Sequence, residues 1–329
     1  MKHIFLSICM LTVFTVCGFA QQQGGAQPPV QRPPAPRVTS FLEIYDLATG
    51  TRKTVREFNT RIEAPNWTPD GKWLVYNSGG LLYKISPDIA DDRPKLINTD
   101  FVTTCNNDHV ISFDGTFIAI SASPVEARRS YVYTVPIEGG VPQLVTPIGP
   151  SYLHGVSPDN NFLAYCADRN GNFDVYVIPT RGGKERRLTD AEGLDDGPEY
   201  SPCGKYIWFN SVRTGLMQAW RMKADGSEQT QMTFDEDLNT WFPHVSPDGK
   251  QVVVIAYHKG DVDPGAHPAN KNVLLRLMPA EGGTPKTIVE LFGGQGTLNV
   301  HSWAPDSKRF AFVSYRLEEA PAASQAPAR

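Results

Sequence analysis

Short apolar runs recur along the chain, and each one directly follows a tight-turn sequence. The turns are TPDG ending at Gly71, SFDG at Gly115, SPDN at Asn160, SPCG at Gly204, SPDG at Gly249 and APDS at Ser307. Proline fixes φ, aspartate bonds to its own backbone and glycine accepts positive φ, so each sequence predicts a turn between two strands. The successive spacings of 44, 45, 44, 45 and 58 residues indicate one repeat that runs through the chain.

Each repeat has the pattern of four short strands. The turn is followed by an apolar run such as KWLVYN, NFLAYC or KQVVVIAY, and then by two strands around a glycine hairpin, as in YVYTVPIEGGVPQLVT. Four short strands per unit are typical of a propeller blade. The last inner pair, VHSWAPDSKRFAFVSY, lacks outer strands, whereas the N-terminal SFLEIYDLATGTRKTVREF lacks inner ones. We therefore predict an all-β, six-bladed β-propeller over residues 38–317, with the last blade closed by strands from both chain ends.

The repeats resemble those of TolB-like (WD-like repeat) propellers of exported bacterial proteins. The motifs that carry this resemblance are WTPDGKWLVY, HVSPDGKQVVV and SWAPDSKRFAFVS, together with the GGxxxxLT ends of the hairpins. The resemblance is specific for the fold but not for a function, because propellers of this type include binding modules, peptidase accessory domains and lyases. In TolB itself, an α/β domain precedes the propeller. At the corresponding position of this chain we expect only a short spacer.

The two ends of the chain predict segments that do not belong to the propeller. Residues 1–20 have a basic start, an apolar run and a small-residue end, which is typical of a signal peptide cleaved before Gln21. Residues 21–37 are rich in proline and glutamine and predict a spacer, and residues 318–329 predict a disordered tail. After residue 20 the sequence contains no long apolar segment of the kind that predicts a transmembrane span. We expect a periplasmic or secreted protein.

Composition narrows the classes of function. A net charge of −4 with mixed signs does not favour a nucleic-acid surface. Cys105, Cys166 and Cys203 remain after the predicted cleavage, and an odd number without CxxC spacing favours thiols, although one bridge stays open. No GxSxG elbow or phosphate-binding loop appears in the sequence. We expect a monomer whose ligand is a small oligosaccharide or a peptide.

Histidines concentrate at one height of the predicted inner strands. His109, His154, His244 and His301 all lie three or four residues before the second position of their turns. His258 ends the next strand of the blade that carries His244, and His267 lies in the insertion behind the 58-residue spacing. Inner strands line the channel of a propeller, so we expect all six at the channel mouth that bears the insertion. A register error of one residue would turn any of them away, and for each one a packed or hydrogen-bonded role is the alternative.

These residues suggest several kinds of chemistry. His244, His258 and His267 are the candidate ligands of a divalent metal ion, which we expect to be manganese, zinc or calcium. The candidate acid and base residues are His154, Glu199, Asp108 and His109. The candidate substrate contacts are Tyr152, Arg169, Arg213, Trp241, Gln295 and His301. For the two arginines we favour the alternative that they close salt bridges between blades.

Two functions remain open on this evidence. The first is an exported carbohydrate-active enzyme, a metal-assisted lyase or hydrolase. The propeller resembles that of oligogalacturonate lyases, and the resemblance implies a histidine-bound divalent metal at the channel mouth. The second is a non-catalytic, TolB-like binding or scaffold propeller that holds a peptide or a cell-envelope partner.

Overall fold

The computed structural model describes residues 36–318, and every regular element in this range is a β-strand. The predicted signal peptide, nearly all of the predicted spacer and the predicted tail lie outside the described residues. Arg37 and Glu318 are strand residues, one position beyond each predicted boundary of the propeller. The strands, in chain order, are β1 (Arg37–Asp46), β2 (Thr51–Phe58), β3 (Glu63–Trp67), β4 (Leu74–Ser78), β5 (Leu81–Ile85), β6 (Lys95–Ile97), β7 (Cys105–Ile111), β8 (Phe117–Ala122), β9 (Tyr131–Pro136), β10 (Gln143–Leu144), β11 (Ser151–Val156), β12 (Phe162–Asp168), β13 (Phe173–Pro179), β14 (Arg186–Arg187), β15 (Asp195–Tyr200), β16 (Tyr206–Ser211), β17 (Gln218–Lys223), β18 (Thr230–Gln231), β19 (Leu238–Val245), β20 (Gln251–His258), β21 (Ala269–Pro279), β22 (Lys286–Gly294) and β23 (Arg309–Glu318).

The strands form six antiparallel sheets, which are the blades. Blades 1 to 5 each contain four consecutive strands, β3–β6, β7–β10, β11–β14, β15–β18 and β19–β22. The first strand of each blade is innermost, and the innermost strands contact one another in order: β3 with β7, β7 with β11, β11 with β15, and β15 with β19. The prediction of an all-β, six-bladed propeller is therefore confirmed.

Blade 6 joins the two ends of the described chain. β1 pairs antiparallel with β23 over ten residues, from Arg37 opposite Glu318 to Asp46 opposite Arg309, and β2 pairs with the other edge of β1. The predicted innermost strand is reduced to a single bridge between Trp303 and Phe310, so this sheet has three strands. Pairing both edges of β1 leaves no open edge between the ends, which closes the ring as predicted.

The innermost strands of blades 1 to 5 share an irregularity that the repeat alone does not show. Each has a β-bulge in its pairing with the next strand, for example between Asp196 and Glu199 in blade 4 and between Trp241 and His244 in blade 5. Residues three apart on a regular strand face opposite sides, whereas the extra residue of a bulge changes this alternation. Phe242, within one of these bulges, has a φ of 49°. The bulges allow residues on both sides of them to face the channel.

We expect ring closure to depend on the buried face of β1. Leu42 is fully buried on this strand and packs in the cluster that contains Leu74 and Val313. Leu42→Ala should lower the free energy of unfolding by about 3 kcal/mol, because it leaves a cavity between the closing strands. Leu144→Ala, at a position that is 55% exposed on β10, is the matched control and should change it by less than about 0.5 kcal/mol. Equal effects of the two substitutions in urea titrations would contradict this account of closure.

Candidate functional site

Four of the six predicted channel histidines gather around two buried carboxylates. We call Glu199, His244 and His301 the Glu199 cluster. We call Asp196, Asp108, His154, Cys166 and His267 the Asp196 cluster. Both clusters lie in the channel. Two consecutive residues connect them: the Leu298 carbonyl faces His244 of the Glu199 cluster, and the Asn299 amide donates a hydrogen bond to Asp108 of the Asp196 cluster.

The Glu199 carboxylate is held by three donors from two other blades. Its Oε2 lies 2.6 Å from His244 Nδ1, and its Oε1 lies 3.1 Å from His301 Nδ1 and accepts a 3.1 Å hydrogen bond from the Val245 backbone N–H. Burial alone would raise the pKa of Glu199, but His244 and His301 outweigh it and lower the pKa to about 2. Glu199 is therefore an ionised, fully engaged carboxylate at neutral pH.

His244 is the histidine that precedes the SPDG turn of blade 5, and it links the channel residues of blades 4 and 6. Besides Glu199, its ring approaches the Leu298 carbonyl through Nε2 at 3.3 Å. Its own backbone carbonyl accepts a 2.9 Å hydrogen bond from the Trp303 indole. The residue is thus held on both sides, and its position explains why a histidine stands at this point of the strand.

The Asp196 cluster is looser than the Glu199 cluster. Asp196 Oδ1 lies 3.4 Å from His154 Nε2, and its Oδ2 lies 3.7 Å from His267 Nε2. Asp108 Oδ1 lies 4.0 Å from the same His154 nitrogen. The Cys166 thiol belongs to the same group: a His154 nitrogen, an Asp196 oxygen and the thiol sulfur all lie within 4.8 Å of one another.

The charges of the Asp196 cluster are strongly coupled. Burial lowers the pKa of His154, but the nearby Asp108 and Asp196 carboxylates more than offset it, so the net shift is upward. Burial would raise the pKa of Asp196, but His154 and His267 bring it below its usual range. Burial raises the pKa of Asp108 and of the Cys166 thiol, and it lowers the pKa of His267.

Aromatic rings fix the two histidines of the Asp196 cluster. The Phe242 ring stacks on His154 at 5.5 Å between centroids and meets His267 edge-on at 5.1 Å. The Trp241 ring lies 4.4 Å from the same His267 ring. Trp241 is fully buried, so it positions His267 within the protein instead of offering a face to a sugar.

A cavity of about 330 Å³ extends from the Glu199 cluster along the channel, and all six blades line it. It is bounded by Pro69, Pro202, Pro247 and Pro305 of the repeated turns, so it opens on the turn face and not on the face that bears the insertion. Its side walls are mainly apolar, and the polar floor contains Glu199 and His301. The predicted mouth and this cavity are therefore at opposite ends of the channel.

Several cavity residues were missed by the sequence reasoning, which treated the turns as structural only. The clearest are Trp67, Tyr200 and Trp303, each two residues before a turn proline, and Phe113, which takes the place of the proline in blade 2. An aromatic residue recurring at this fixed offset was the available signal. Cys166 was also missed, because its position on β12 predicts a buried thiol and does not reveal that Asp196 of the neighbouring blade lies beside it.

The structure does not bring His244, His258 and His267 together. His244 pairs with Glu199 and His267 lies beside Asp196, whereas His258 is exposed at the end of β20. His109 is fully buried, neither ring nitrogen has a hydrogen-bond partner among the described residues, and burial lowers its pKa to about 4. His109 and His258 therefore lie outside both clusters.

The predicted arginines serve their own blades. Arg169 makes a 2.7 Å ion pair with Glu185 in blade 3, and Arg213 makes a 2.7 Å ion pair with Asp195 in blade 4. Salt bridges are thus formed, as we favoured, but within blades and not between them. Neither guanidinium lines the cavity, so neither is placed to bind a ligand there.

Two further predicted contacts also have local roles. Tyr152 packs against Phe173 of the same blade, with 6.1 Å between ring centroids. Gln295 uses its backbone N–H to bond the Pro268 carbonyl at 3.2 Å, which joins the glycine-rich segment to the insertion. Cys105, Cys166 and Cys203 are free thiols, and the first two are buried.

The depressed pKa of Glu199 predicts a pH-dependent contribution to stability. The pKa of Glu199 is about 2 in the folded protein against 4.5 for a free glutamate side chain, so its contribution is fully present above pH 4.5 and is lost as the pH falls towards 2. The contribution is on the order of 3 kcal/mol. Glu199→Gln should therefore be less stable than the parent at pH 7, and the difference should shrink as the pH falls through this window.

Denaturant titrations at several pH values measure this difference, with Glu57→Gln as the control. Glu57 is about half exposed in a surface pair with Arg316, so its substitution should have little effect at any pH. A stability difference for Glu199→Gln that stays constant from pH 7 to pH 2 would contradict the pairing described above.

Comparisons with known proteins agree with this architecture. The family model of the TolB β-propeller domain matches residues 111–277. Atu1656, an uncharacterised protein of Agrobacterium fabrum, is 46% identical over 282 residues, which are 86% of this chain and 94% of that protein. A solved structure of a provisionally named TolB from Agrobacterium tumefaciens superposes with a TM-score of 0.80 at 45% identity, covering 86% of this chain and 99% of the other.

More distant similarities are limited to part of the relative or to the fold. The Tol-Pal system protein TolB of Francisella tularensis is 24% identical over 61% of this chain, and the match spans 47% of that protein. An oligogalacturonate lyase in complex with manganese superposes with a TM-score of 0.49 at 11% identity, which supports no functional inference. Within residues 36–318 there is no helix with the length and apolar character needed to span a membrane. On the family match and the 46% identity, the chain belongs to the TolB β-propeller domain family.

Proposed function

We propose that this protein is an exported, non-catalytic binding propeller that holds an apolar peptide segment of a protein partner in the turn-face cavity. The observation that carries the proposal is the cavity itself, which is central, is lined by all six blades and is mainly apolar. A volume of about 330 Å³ suits one or two large side chains. Phe113 lines the cavity with an exposed ring, and exposed aromatic residues commonly anchor protein partners.

The polar floor supports binding more than acid–base chemistry. Glu199 already accepts from three donors, so it has little capacity to exchange a proton with a substrate. His301 bonds Glu199 through Nδ1 and borders the cavity, which leaves its other ring nitrogen for a hydrogen bond to the ligand. A peptide carbonyl or hydroxyl at the end of an apolar segment would complete this interaction.

The charge of the cavity also favours a peptide over an acidic oligosaccharide. No lysine or arginine is among its lining residues in the described chain. Arg169 and Arg213, two of the candidate substrate contacts, are engaged with carboxylates of their own blades. A protein partner is further supported by the similarity to the Francisella protein, which is named as a component of the Tol-Pal system.

A carbohydrate-active enzyme remains the second candidate, and one observation favours it. A carboxylate that orients an imidazole at the edge of a cavity is also an arrangement for general base catalysis. This function requires turnover that His301→Ala abolishes. Incubation with neutral and acidic oligosaccharides, followed by product analysis, decides whether such turnover exists.

We expect peptide binding to depend on the aromatic wall of the cavity. A random linear peptide library displayed on phage, selected against the full chain, should yield binders rich in apolar side chains. Phe113→Ala should weaken a selected peptide at least tenfold, because Phe113 lines the cavity and is 42% exposed. Titration calorimetry with the synthetic peptide measures the change.

Phe162→Ala is the matched control, since Phe162 is 40% exposed but lies on β12, outside the central cavity. It should leave the affinity unchanged. Peptides that bind Phe113→Ala and Phe162→Ala equally well would show that the cavity is not their site. A selection that yields no specific peptide would sink the proposal.

A further inference from the structure

The opposite end of the channel from the cavity has the donor set of a metal site. His154 on β11, Cys166 on β12 and Asp196 on β15 each offer one ligand atom, and these three atoms lie within 4.8 Å of one another. This is the only group of three such residues at this separation within residues 36–318. All three side chains are buried, so the arrangement differs from a solvated group of surface carboxylates.

The distance between His154 and Asp196 fits two ligands of one ion better than a direct hydrogen bond. His154 Nε2 and Asp196 Oδ1 are 3.4 Å apart, which is longer than a good N–H···O contact. Two ligand atoms that each lie about 2.1 Å from a tetrahedral zinc ion are about 3.4 Å apart. Nδ1 of the buried His154 ring has no hydrogen-bond partner in the described chain, and Nε2 is the nitrogen that faces the Asp196 carboxylate.

The charges of the Asp196 cluster also favour a bound cation. The carboxylates of Asp108 and Asp196 both face His154, which can carry only one positive charge. His267 approaches only Asp196, so Asp108 has no second imidazole beside it, and uncompensated negative charge is costly in a low-dielectric interior. A divalent cation would balance both. The Asn106 and Asn299 amides each donate a 2.7 Å hydrogen bond to Asp108. Asp108 is therefore assigned as a residue that supports the ligands without contacting the ion, and Asp196 is the carboxylate ligand.

The insertion of blade 5 supplies a fourth donor on the solvent side. His267 Nε2 lies 3.7 Å from Asp196 Oδ2, and this side chain is 22% exposed whereas that of Asp196 is 9% exposed. The Trp241 and Phe242 rings hold the imidazole in place. An ion that enters from the insertion face would meet His267 first.

We propose that His154, Cys166 and Asp196 bind one divalent transition-metal ion, with His267 as the ligand on the solvent side. A set of imidazole, thiolate and carboxylate donors selects zinc or cobalt over calcium and manganese. The ion links blades 3 and 4 to the insertion of blade 5 and closes this end of the channel. It lies apart from the turn-face cavity, so this site is independent of peptide binding.

Cobalt substitution tests the site directly. The full chain is purified without a polyhistidine tag, dialysed against a chelator under reducing conditions and titrated with cobalt chloride. We expect one ion per chain with a thiolate-to-cobalt charge-transfer absorption. Zinc chloride should displace the cobalt, and calcium chloride should not.

Variants separate this site from adventitious binding. Cys166→Ser should abolish the charge-transfer band and weaken zinc at least tenfold, and Asp196→Asn should weaken zinc to a similar extent. The controls are Cys203→Ser, which removes an exposed thiol, and His258→Ala, which removes an exposed imidazole; both should bind like the parent.

Near-ultraviolet circular dichroism of each apo variant verifies that its fold is retained. Cobalt binding without a thiolate band in the parent protein would overturn the proposal, and so would zinc affinity that is unchanged in folded Cys166→Ser. Absence of stoichiometric zinc binding by the parent protein would overturn it as well.

Discussion

The pairing of one buried carboxylate organises the channel. Glu199 comes from blade 4, and its three donors come from His244 and Val245 of blade 5 and from His301 next to the bridge of blade 6. An ionised carboxylate that is removed from water needs such donors, because its desolvation is otherwise costly. The same contacts set the floor of the turn-face cavity and the orientation of His301. Packing of three blades and the polar end of the binding site therefore depend on one side chain.

The bulges of the innermost strands make this arrangement compatible with a β-sheet. Asp196 and Glu199 are three residues apart, yet they belong to two clusters that both face the channel, one on each side of the bulge. Gly197, inside that bulge, has a φ of 59°, and a Cβ there would lie 2.6 Å from Asn210 Oδ1. Glycine is therefore required at this point. Trp241 and His244 flank the equivalent bulge in blade 5.

The fold was predictable from the sequence because turn chemistry recurs at fixed spacing, and a repeat propagates one local interpretation through the whole chain. The presence of histidines in the channel followed from the same alignment. Their partners did not, since bulges change which residues face inward and the repeat does not encode them. His258 is the exposed last residue of a strand, and Arg169 and Arg213 form ion pairs with carboxylates of their own blades. The cavity at the turn end of the channel was not predicted, because the turns were assigned no role beyond chain reversal.

The central claim is that ligand binding occurs at the turn face and leaves the opposite mouth unchanged. Hydrogen–deuterium exchange of the full chain, with and without a saturating selected peptide, tests this most directly. The account predicts slower exchange in the segments that line the cavity, residues 66–69, 110–113 and 199–202, and unchanged exchange in the insertion, residues 259–268. Protection of the insertion without protection of the turns would contradict it.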